Sequence, residues 1–316
     1  MASESSALSL MQLPDACLLL ILQCCAADDQ RSVFSAASSH PRLYQAALMA
    51  LRSITAVLST QKQLEGVVQY LRTNGQQVDS LCLECRRSGL SLHQLPSNLQ
   101  ISSLKLTGFS ALQLQPGSGF QGVLGPAGAA TLKQLHLEDC QVIDSEEEEA
   151  ALSQLPAGLE ALTLTRVTAS YRRPLLDADA LEQLHQLTCL HLAGIKILAS
   201  SFPSPDLQLA GLDDLLPQLA DIGEQTFTGM LSGMSNLTDL WLSKYELEPG
   251  VLAGKTKLCH LNLSSCQISG GAAGEAQLLS DLQQLTQLRV LKLARTLQAA
   301  AQGNSNSNPP AVPMQH

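Results

Sequence analysis

The chain has few aromatic residues and few charged ones. Of its 316 residues only 3% are aromatic and 15% are charged, whereas 45% are hydrophobic. A core with so few aromatic rings must be built from Leu, Ala and Val, which suits a narrow stack of repeated units. The formal net charge of −9 argues against a general nucleic-acid or anionic-membrane surface, because contact with phosphates requires clusters of Lys and Arg.

A disulfide framework, a signal peptide and a membrane span are also not expected. The nine cysteines are scattered, as small buried hydrophobes are, and this favours a reducing compartment. The apolar run at residues 16–27 has no Lys or Arg before it, since the first basic residue is Arg31. The run is also well short of the about 20 residues that span a bilayer. We expect a soluble intracellular protein, cytoplasmic or alternatively nuclear.

The most informative feature is a repeated pattern of Leu, Ile or Val, two residues, Leu, one residue and Leu. Its eight copies begin at Val78, Ile101, Leu132, Leu159, Leu187, Leu237, Leu258 and Leu288. They follow one another at steps of 23, 31, 27, 28, 50, 21 and 30 residues, and the step of 50 is close to two ordinary steps. This is the period of a leucine-rich repeat, which buries its leucines by stacking on neighbouring repeats. The sequence therefore predicts an α/β fold: a solenoid with a curved parallel sheet and helices or loops on its convex side.

Strand alternation determines which residues of each copy could bind a partner. The fourth and sixth positions should point into the core, and the third, fifth and seventh should line the concave face of the sheet. The candidate partner-binding residues on that face are Lys105, His136, His191, Asp239, Trp241, His260 and Asn262. Trp241, the only tryptophan, is either a binding hot spot or a residue that packs against the segment 203–227.

The chain divides into segments of different composition. We expect a helical head at 1–52, a capping strand and helix at 53–77, repeats at 78–296 and a disordered tail at 297–316. The segment 198–236 is either a degenerate repeat or a looped excursion, because Pro203 and Pro205 fit a central strand badly. Within the head, we expect an apolar helix stripe of Leu18, Ile21, Leu22 and Cys25, followed by a second helix capped by Asp28.

The head resembles an F-box. The residues that fall on the motif's Leu-Pro opening, apolar helix positions and acidic position are Leu13, Pro14, Leu18, Ile21, Leu22, Asp29 and Val33. The sequence departs from the motif at Cys24-Cys25, at Gln30 and at the closing positions. The resemblance implies that the head docks on the adaptor of a cullin–RING ubiquitin ligase, through Leu13, Pro14, Leu18, Ile21, Leu22 and Val33. A plain helical cap covering the first repeat is the alternative.

Two repeats carry a cysteine at the ninth position, Cys140 and Cys266. This resembles the cysteine-containing type of leucine-rich repeat that often follows an F-box. Other copies have Phe, Val, Ile or Tyr there, so the repeat type is mixed.

No arrangement in the sequence predicts catalysis or a metal site. His260 and Ser264 would lie roughly 13 Å apart on one strand, too far for a nucleophile and its base. Asp239 and His260 should face each other as a surface ion pair. The pair Cys82 and Cys85 has no second pair with which to form a zinc site. No nucleotide-binding or zinc-protease motif is present, so we expect no enzyme activity and no cofactor.

These observations favour a substrate-receptor subunit of a cullin–RING ubiquitin ligase, in which the head binds the adaptor and the concave face binds a target protein. The alternative is a leucine-rich-repeat scaffold without a ubiquitin role, such as a cytoskeletal or axonemal assembly protein. An enzyme that uses His136 or His191 is a third class.

Overall fold

A computed structural model describes residues 10, 13–28, 30–86, 89–114, 120–143, 152, 154–170, 174–198, 231, 233–294 and 296. The segment 198–236, apart from its two ends, and the tail at 297–316 lie outside these residues, as does Asp29. The chain is an α/β protein built on parallel strands. It forms two compact units, Met1–Leu159 with Val167–Arg173, and Glu160–Arg166 with Pro174–His316.

The helices of the described residues lie mainly in the first unit. They are α1 (Asp15–Asp28), α2 (Gln30–Ser39), α3 (Pro41–Ala50), α4 (Gln61–Asn74), α5 (Gln121–Thr131), α6 (Ala178–Glu182) and α7 (Gly271–Gln284), with a 3-10 turn at Gly75–Gln77. A kink at Gly125 divides α5.

The eight strands that the repeats predict are all present. They are β2 (Ser80–Cys85), β4 (Ser103–Thr107), β6 (Gln134–Glu138), β8 (Ala161–Thr165), β11 (Cys189–Ala193), β13 (Asp239–Ser243), β15 (His260–Asn262) and β17 (Val290–Lys292). Each begins at the third position of its repeat, as expected. An additional strand, β1 (Ser53–Leu58), precedes them and matches the strand predicted there.

Short strands follow the main ones along the chain. They are β3 (Ser91–Leu92), β5 (Ala111–Gln113), β7 (Gln141–Ile143), β9 (Thr168–Ala169), β10 (Leu176–Asp177), β12 (Ile197–Leu198), β14 (Glu246–Leu247) and β16 (Gln267–Ile268). In the first unit β3, β5, β7 and β9 form a second parallel sheet in that order. In the second unit β10 pairs with β12, and β14 with β16.

In the first unit the main strands run in the order β1, β2, β4, β6. The same repeat positions face each other across every pair, so Leu81, Leu104 and Leu135 form one row in the core. All three are at most 1% exposed. This confirms that the fourth position points inward.

In the second unit the order is β8, β11, β13, β15, β17, again in register by repeat position. Leu190, Leu240 and Leu261 are buried. Leu291 breaks the rule, because it occupies a fourth position but is 44% exposed. Its strand β17 pairs with β15 alone among the described strands, so the leucine lacks one of the two neighbours that bury the others.

A tight turn follows most of the main strands, at the eighth position of the repeat. The residues at this position have positive φ, between 51° and 78°, and they are Gly108, Asp139, Arg166, Gly194, Lys244 and Ser265. At Gly108 a side chain would be excluded as well, because a Cβ would lie 2.5 Å from the carbonyl oxygen of Cys85. The ninth position then turns back into the core, which buries the thiols of Cys140 and Cys266. Each thiol donates to a carbonyl on the main strand of the preceding repeat, Cys140 to Leu106 O on β4 at 3.5 Å and Cys266 to Leu242 O on β13 at 3.3 Å.

Three helices, α1 to α3, occupy the segment predicted as the head. Their shared core consists of Leu18, Leu22, Val33, Leu43, Ala47 and Leu51. Helix α3 begins at Pro41, and the side chain of His40 accepts a hydrogen bond from the backbone N–H of Arg42. Helix α1 ends at Asp28 and α2 begins at Gln30. The Asp28 side chain lies outside the described residues, so the cap that it was predicted to form on α2 stays a prediction.

The segment after the head forms β1 and α4, as predicted. Helix α4 begins at a capping box in which Thr60 and Gln63 bond each other's backbone N–H groups. It ends at Asn74, with Gly75 as the following cap, where the sequence predicted a stop.

Candidate functional site

The sheet face of the second unit carries the most exposed aromatic side chain of the described residues. Trp241 lies in the middle of β13 and is 43% exposed. Its partners in register are His191 on β11 and Asn262 on β15. We name this surface the Trp241 patch, and it consists of His191, Asp239, Trp241, His260 and Asn262. Five of the seven residues predicted to bind a partner are thus brought together.

The indole ring of Trp241 is positioned by a neighbouring ring. The centroids of His191 and Trp241 lie 5.4 Å apart, and the two planes meet at 65°, an edge-to-face arrangement. Such pairs contribute about 0.5–1.5 kcal/mol beyond the area that they bury. A partner would therefore meet an apolar ring that is already held in place, which reduces the entropy lost on binding.

Asp239 and His260 face each other, as the sequence predicts. The Nδ1 of His260 lies 2.6 Å from Oδ1 of Asp239, and the Thr238 hydroxyl donates to the other carboxylate oxygen at 2.8 Å. The side chains of His260 and Asp239 are 51% and 33% exposed, so this is a surface pair of modest strength. Because both carboxylate oxygens have partners, the pair forms a polar border of the Trp241 patch.

A cysteine, Cys189, lies beside His191 at the border of the Trp241 patch. Sγ of Cys189 lies 3.6 Å from Nε2 of His191. Burial, followed by the charge of Asp239, raises the pKa of the Cys189 thiol to about 11. A nucleophilic cysteine needs a lowered pKa, so at neutral pH this thiol remains protonated and lacks the activation that such catalysis requires. Among the described residues, no three His, Cys, Asp or Glu side chains are grouped so that they could hold a metal ion.

The sheet face of the first unit carries the other two predicted residues, Lys105 and His136, which are partners in register. Nε2 of His136 lies 3.4 Å from Oε2 of Glu138. Burial and the charge of Lys105 lower the pKa of His136, and Glu138 opposes this shift. This surface is polar and lacks an exposed aromatic ring among the described residues, so it is the weaker candidate for a hot spot.

In the head, the six residues predicted to contact an adaptor fall into two groups. Leu18, Leu22 and Val33 are at most 4% exposed and form the head's own core. They therefore cannot touch a partner while the head is folded, which corrects their assignment as contact residues. Pro14 is exposed, Ile21 is 37% exposed and Leu13 is partly buried against the core.

Helix α1 has a second apolar face, which shares only Ile21 with the predicted stripe. Cys17, Leu20, Ile21 and Cys24 follow one another at spacings of three, one and three residues, so they lie on one side of the helix, and all are exposed. Leu20 is 63% exposed. The sequence did indicate that this second face needs a cover. Nearly every position of α1 is apolar, and a helix that is apolar all round is normally covered on all sides.

No family model matches the chain, and no curated protein has a sequence that is significantly similar to it. None of the helices in the described part of the chain has both the length and the apolar character needed to cross a membrane.

Proposed function

We propose that this protein is a substrate-receptor subunit of a cullin–RING ubiquitin ligase, with an F-box-like head and a leucine-rich-repeat array. In this proposal the exposed face of α1 binds the adaptor, and the sheet face that carries the Trp241 patch binds the target protein. The chain itself contributes no catalytic residue, because ubiquitin transfer belongs to other subunits of such a ligase.

The observation that carries the proposal is the two-sided apolar character of α1. Leu18 and Leu22 on one side form the head's core, while Leu20 and Ile21 on the other side are exposed. Water is a poor environment for a stripe of this kind, so we infer that a partner covers it. The resemblance of residues 13–38 to an F-box supports an adaptor subunit as that partner.

The second support is the regular repetition of the strands. Their shared register places the third, fifth and seventh positions of every repeat on one side of the sheet in each unit. Repeated strands of this kind present an extended surface, which suits recognition of a folded protein. Within that surface, Trp241 with its polar border has the anatomy of an interface hot spot.

One contact favours the alternative, in which the head is only a cap on a scaffold protein. The side-chain amide of Gln30 on α2 donates to the carbonyl of Ser53 at 2.8 Å and accepts from the N–H of Thr55 at 3.0 Å. The head thus provides hydrogen-bond partners for two backbone groups on the outer edge of β1, as a cap would. A cap alone, however, gives no reason for Leu20 and Ile21 to remain exposed.

The proposal is tested by adding aspartate to the exposed face of α1. We expect the full-length chain to bind a purified ubiquitin-ligase adaptor subunit, and Leu20→Asp with Ile21→Asp to abolish that binding, because two charges would be buried without partners. Binding is measured by calorimetry, and the helix content of the variant is checked by circular dichroism.

The matched control is Met49→Asp, which changes an exposed apolar residue of α3 and should leave adaptor binding intact. If the unmodified chain does not bind the adaptor at micromolar concentration, the ubiquitin-ligase proposal is lost and the scaffold alternative is preferred. If both variants bind the adaptor as the unmodified chain does, the adaptor lies on another surface.

A further inference from the structure

The outer edge of β1 is an incompletely covered strand edge. β1 pairs on one side with β2, and the backbone groups of alternate residues therefore point away from β2. The carbonyls of Arg52 and Leu58 accept hydrogen bonds from backbone N–H groups at the two ends of β2. The even-numbered residues of this stretch therefore direct their backbone groups toward β2. Ser53, Thr55 and Val57 accordingly direct their N–H and C=O groups outward.

Side-chain amides occupy only part of this edge. Gln30 bonds the carbonyl of Ser53 and the N–H of Thr55, and Oε1 of Gln63 accepts from the N–H of Ser59 at 2.7 Å just beyond the strand. In the described part of the chain, neither the carbonyl of Thr55 nor the N–H and carbonyl of Val57 has a hydrogen-bond partner of its own. A primary amide has the same donor and acceptor as a peptide group, so the two glutamines imitate a neighbouring strand at each end of a gap.

A groove of about 380 Å³ lies along this gap, between β1 and helix α4. The α4 wall is formed by Gly66, Val67 and Tyr70. In the described groove lining there is no Asp, Glu, Lys, Arg or His. A charged side chain entering the groove would lose its hydration without meeting a counter-ion, so the groove favours an uncharged occupant.

Gly66 provides an independent observation. It lies inside α4, where glycine is less favourable than alanine because it loses more backbone freedom on folding. A Cβ at this position would meet no atom within 4 Å, so packing within the chain does not require glycine there. The missing side chain instead keeps the groove open beside the unpaired groups of β1.

We propose that the free edge of β1 binds an extended, uncharged peptide segment of a partner protein, which adds to the sheet as one more strand. The peptide backbone would pair with Thr55 and Val57. One set of its alternate side chains would enter the space beside Gly66, Val67 and Tyr70, and small or β-branched side chains fit that space best. This site is separate from the exposed face of α1 and from the Trp241 patch, and it does not rest on the proposed ubiquitin-ligase role.

The probe is a fluorescein-labelled hexapeptide of alternating Val and Thr, titrated with the full-length chain and followed by fluorescence anisotropy. We expect saturable binding. Two N-methylated versions of this peptide test the backbone pairing, one methylated at the odd-numbered residues and the other at the even-numbered ones. The version that lacks the N–H groups facing β1 should bind roughly tenfold more weakly, because one or two backbone hydrogen bonds are lost.

Three protein variants test the location. Val57→Pro removes an outward N–H without removing a bond to β2, and it should abolish binding. Gly66→Leu fills the groove and should abolish binding too, whereas Glu65→Leu adds the same side chain one residue away, outside the groove lining, and should not. Gln30→Ala should strengthen binding by roughly threefold or more, since the peptide no longer has to displace the Gln30 amide.

Circular dichroism checks the fold of each variant, and if Val57→Pro unfolds, the comparison of Gly66→Leu with Glu65→Leu decides. Equal binding by those two variants would overturn the proposal, as would equal affinity for the plain peptide and both methylated ones. Sedimentation equilibrium of the unmodified chain tests another occupant. A dimer that Gly66→Leu dissociates would mean that a second copy of this chain, and not a partner peptide, covers the edge.

Discussion

Two adjacent residues of β6 should respond very differently to truncation. Leu135 and His136 are neighbours in sequence, but they lie on opposite faces of the strand. Leu135 is 1% exposed and is in register with Leu104, itself 1% exposed. The side chain of His136 is 33% exposed and contacts Glu138 at 3.4 Å.

The magnitudes follow from burial. Leu135→Ala removes three buried carbon atoms, which costs roughly 2.4 kcal/mol at about 0.8 kcal/mol for each group. The cavity that remains raises the loss to about 2–5 kcal/mol. We expect the upper half of that range, because Leu104, the neighbour in the same row, is itself held in register by Leu81 on its other side, which limits how far it can move into the space. His136→Ala loses a half-exposed contact and should cost less than about 1 kcal/mol.

The assay must be local as well as global, because arrays of repeats do not always unfold in a single step. Urea denaturation followed by circular dichroism gives the change in the free energy of unfolding. Hydrogen exchange measured by mass spectrometry on peptides covering β4 and β6 shows whether the loss is centred there. Equal losses for the two variants would mean that the assignment of faces in β6 is wrong.

Three further predictions concern single groups. Tyr245→Phe should cost about 1–2 kcal/mol in urea denaturation, because the Tyr245 hydroxyl donates to the buried carbonyl of Ile195 at 3.3 Å, which would lose its partner. Burial raises the pKa of the Cys85 thiol to about 12 and that of Cys189 to about 11. The folded chain therefore holds these protons more tightly than the unfolded chain, so stability should fall as pH rises from about 9 to these values, and replacing both cysteines with alanine should flatten that slope. Trp241 should be quenched readily by acrylamide, and Trp241→Ala should weaken binding of the target protein by at least about 2 kcal/mol with little loss of stability; a blue, unquenched emission would contradict this.

The strands and their faces could be predicted because a repeat imposes the same environment many times. Leu81, Leu104 and Leu135 are buried for one reason, their shared position in the register, and a pattern in the sequence records that reason directly. Leu291 shows where the inference fails. Its position in the repeat is the same, but its burial depends on a neighbour on the far side of β17, and the repeat pattern says nothing about the end of the row.

The turns after the strands carry a signal that the leucine pattern does not. Positive φ recurs at the eighth position, and Gly, Asp or Ser occupies four of those six turns. These residue types tolerate or favour such a backbone, so their spacing relative to the leucines could have predicted the turns. Arg166 and Lys244 adopt the same conformation without that preference. Each lies between a paired strand and a buried ninth-position side chain, and these two neighbours fix its backbone.

The head shows a different limit. Spacing along a helix reveals which residues share a face, but not which face is buried when most positions are apolar. The predicted stripe joined Leu18 and Leu22, which are buried, with Ile21 and Cys25, which are not. What decides between the faces is the position of α2 and α3, whose Val33 and Ala47 meet Leu18 and Leu22. That contact is tertiary, so no local pattern in α1 contains it.

The same reasoning explains why surfaces that could bind partners are the hardest to find in a sequence. The exposed face of α1 and the free edge of β1 consist of groups that a buried environment would normally satisfy, apolar side chains in one case and backbone N–H and C=O groups in the other. Leu20 resembles a core leucine, and Val57 resembles any strand residue, until the structure shows that Leu20 is 63% exposed and that the N–H and carbonyl of Val57 lack hydrogen-bond partners in the described chain. The two surfaces make separable demands, since aspartate at Leu20 and Ile21 leaves the edge of β1 unchanged, whereas Val57→Pro leaves the α1 face unchanged. A partner that depends on one substitution and not the other is therefore assigned to one surface, even before that partner is identified.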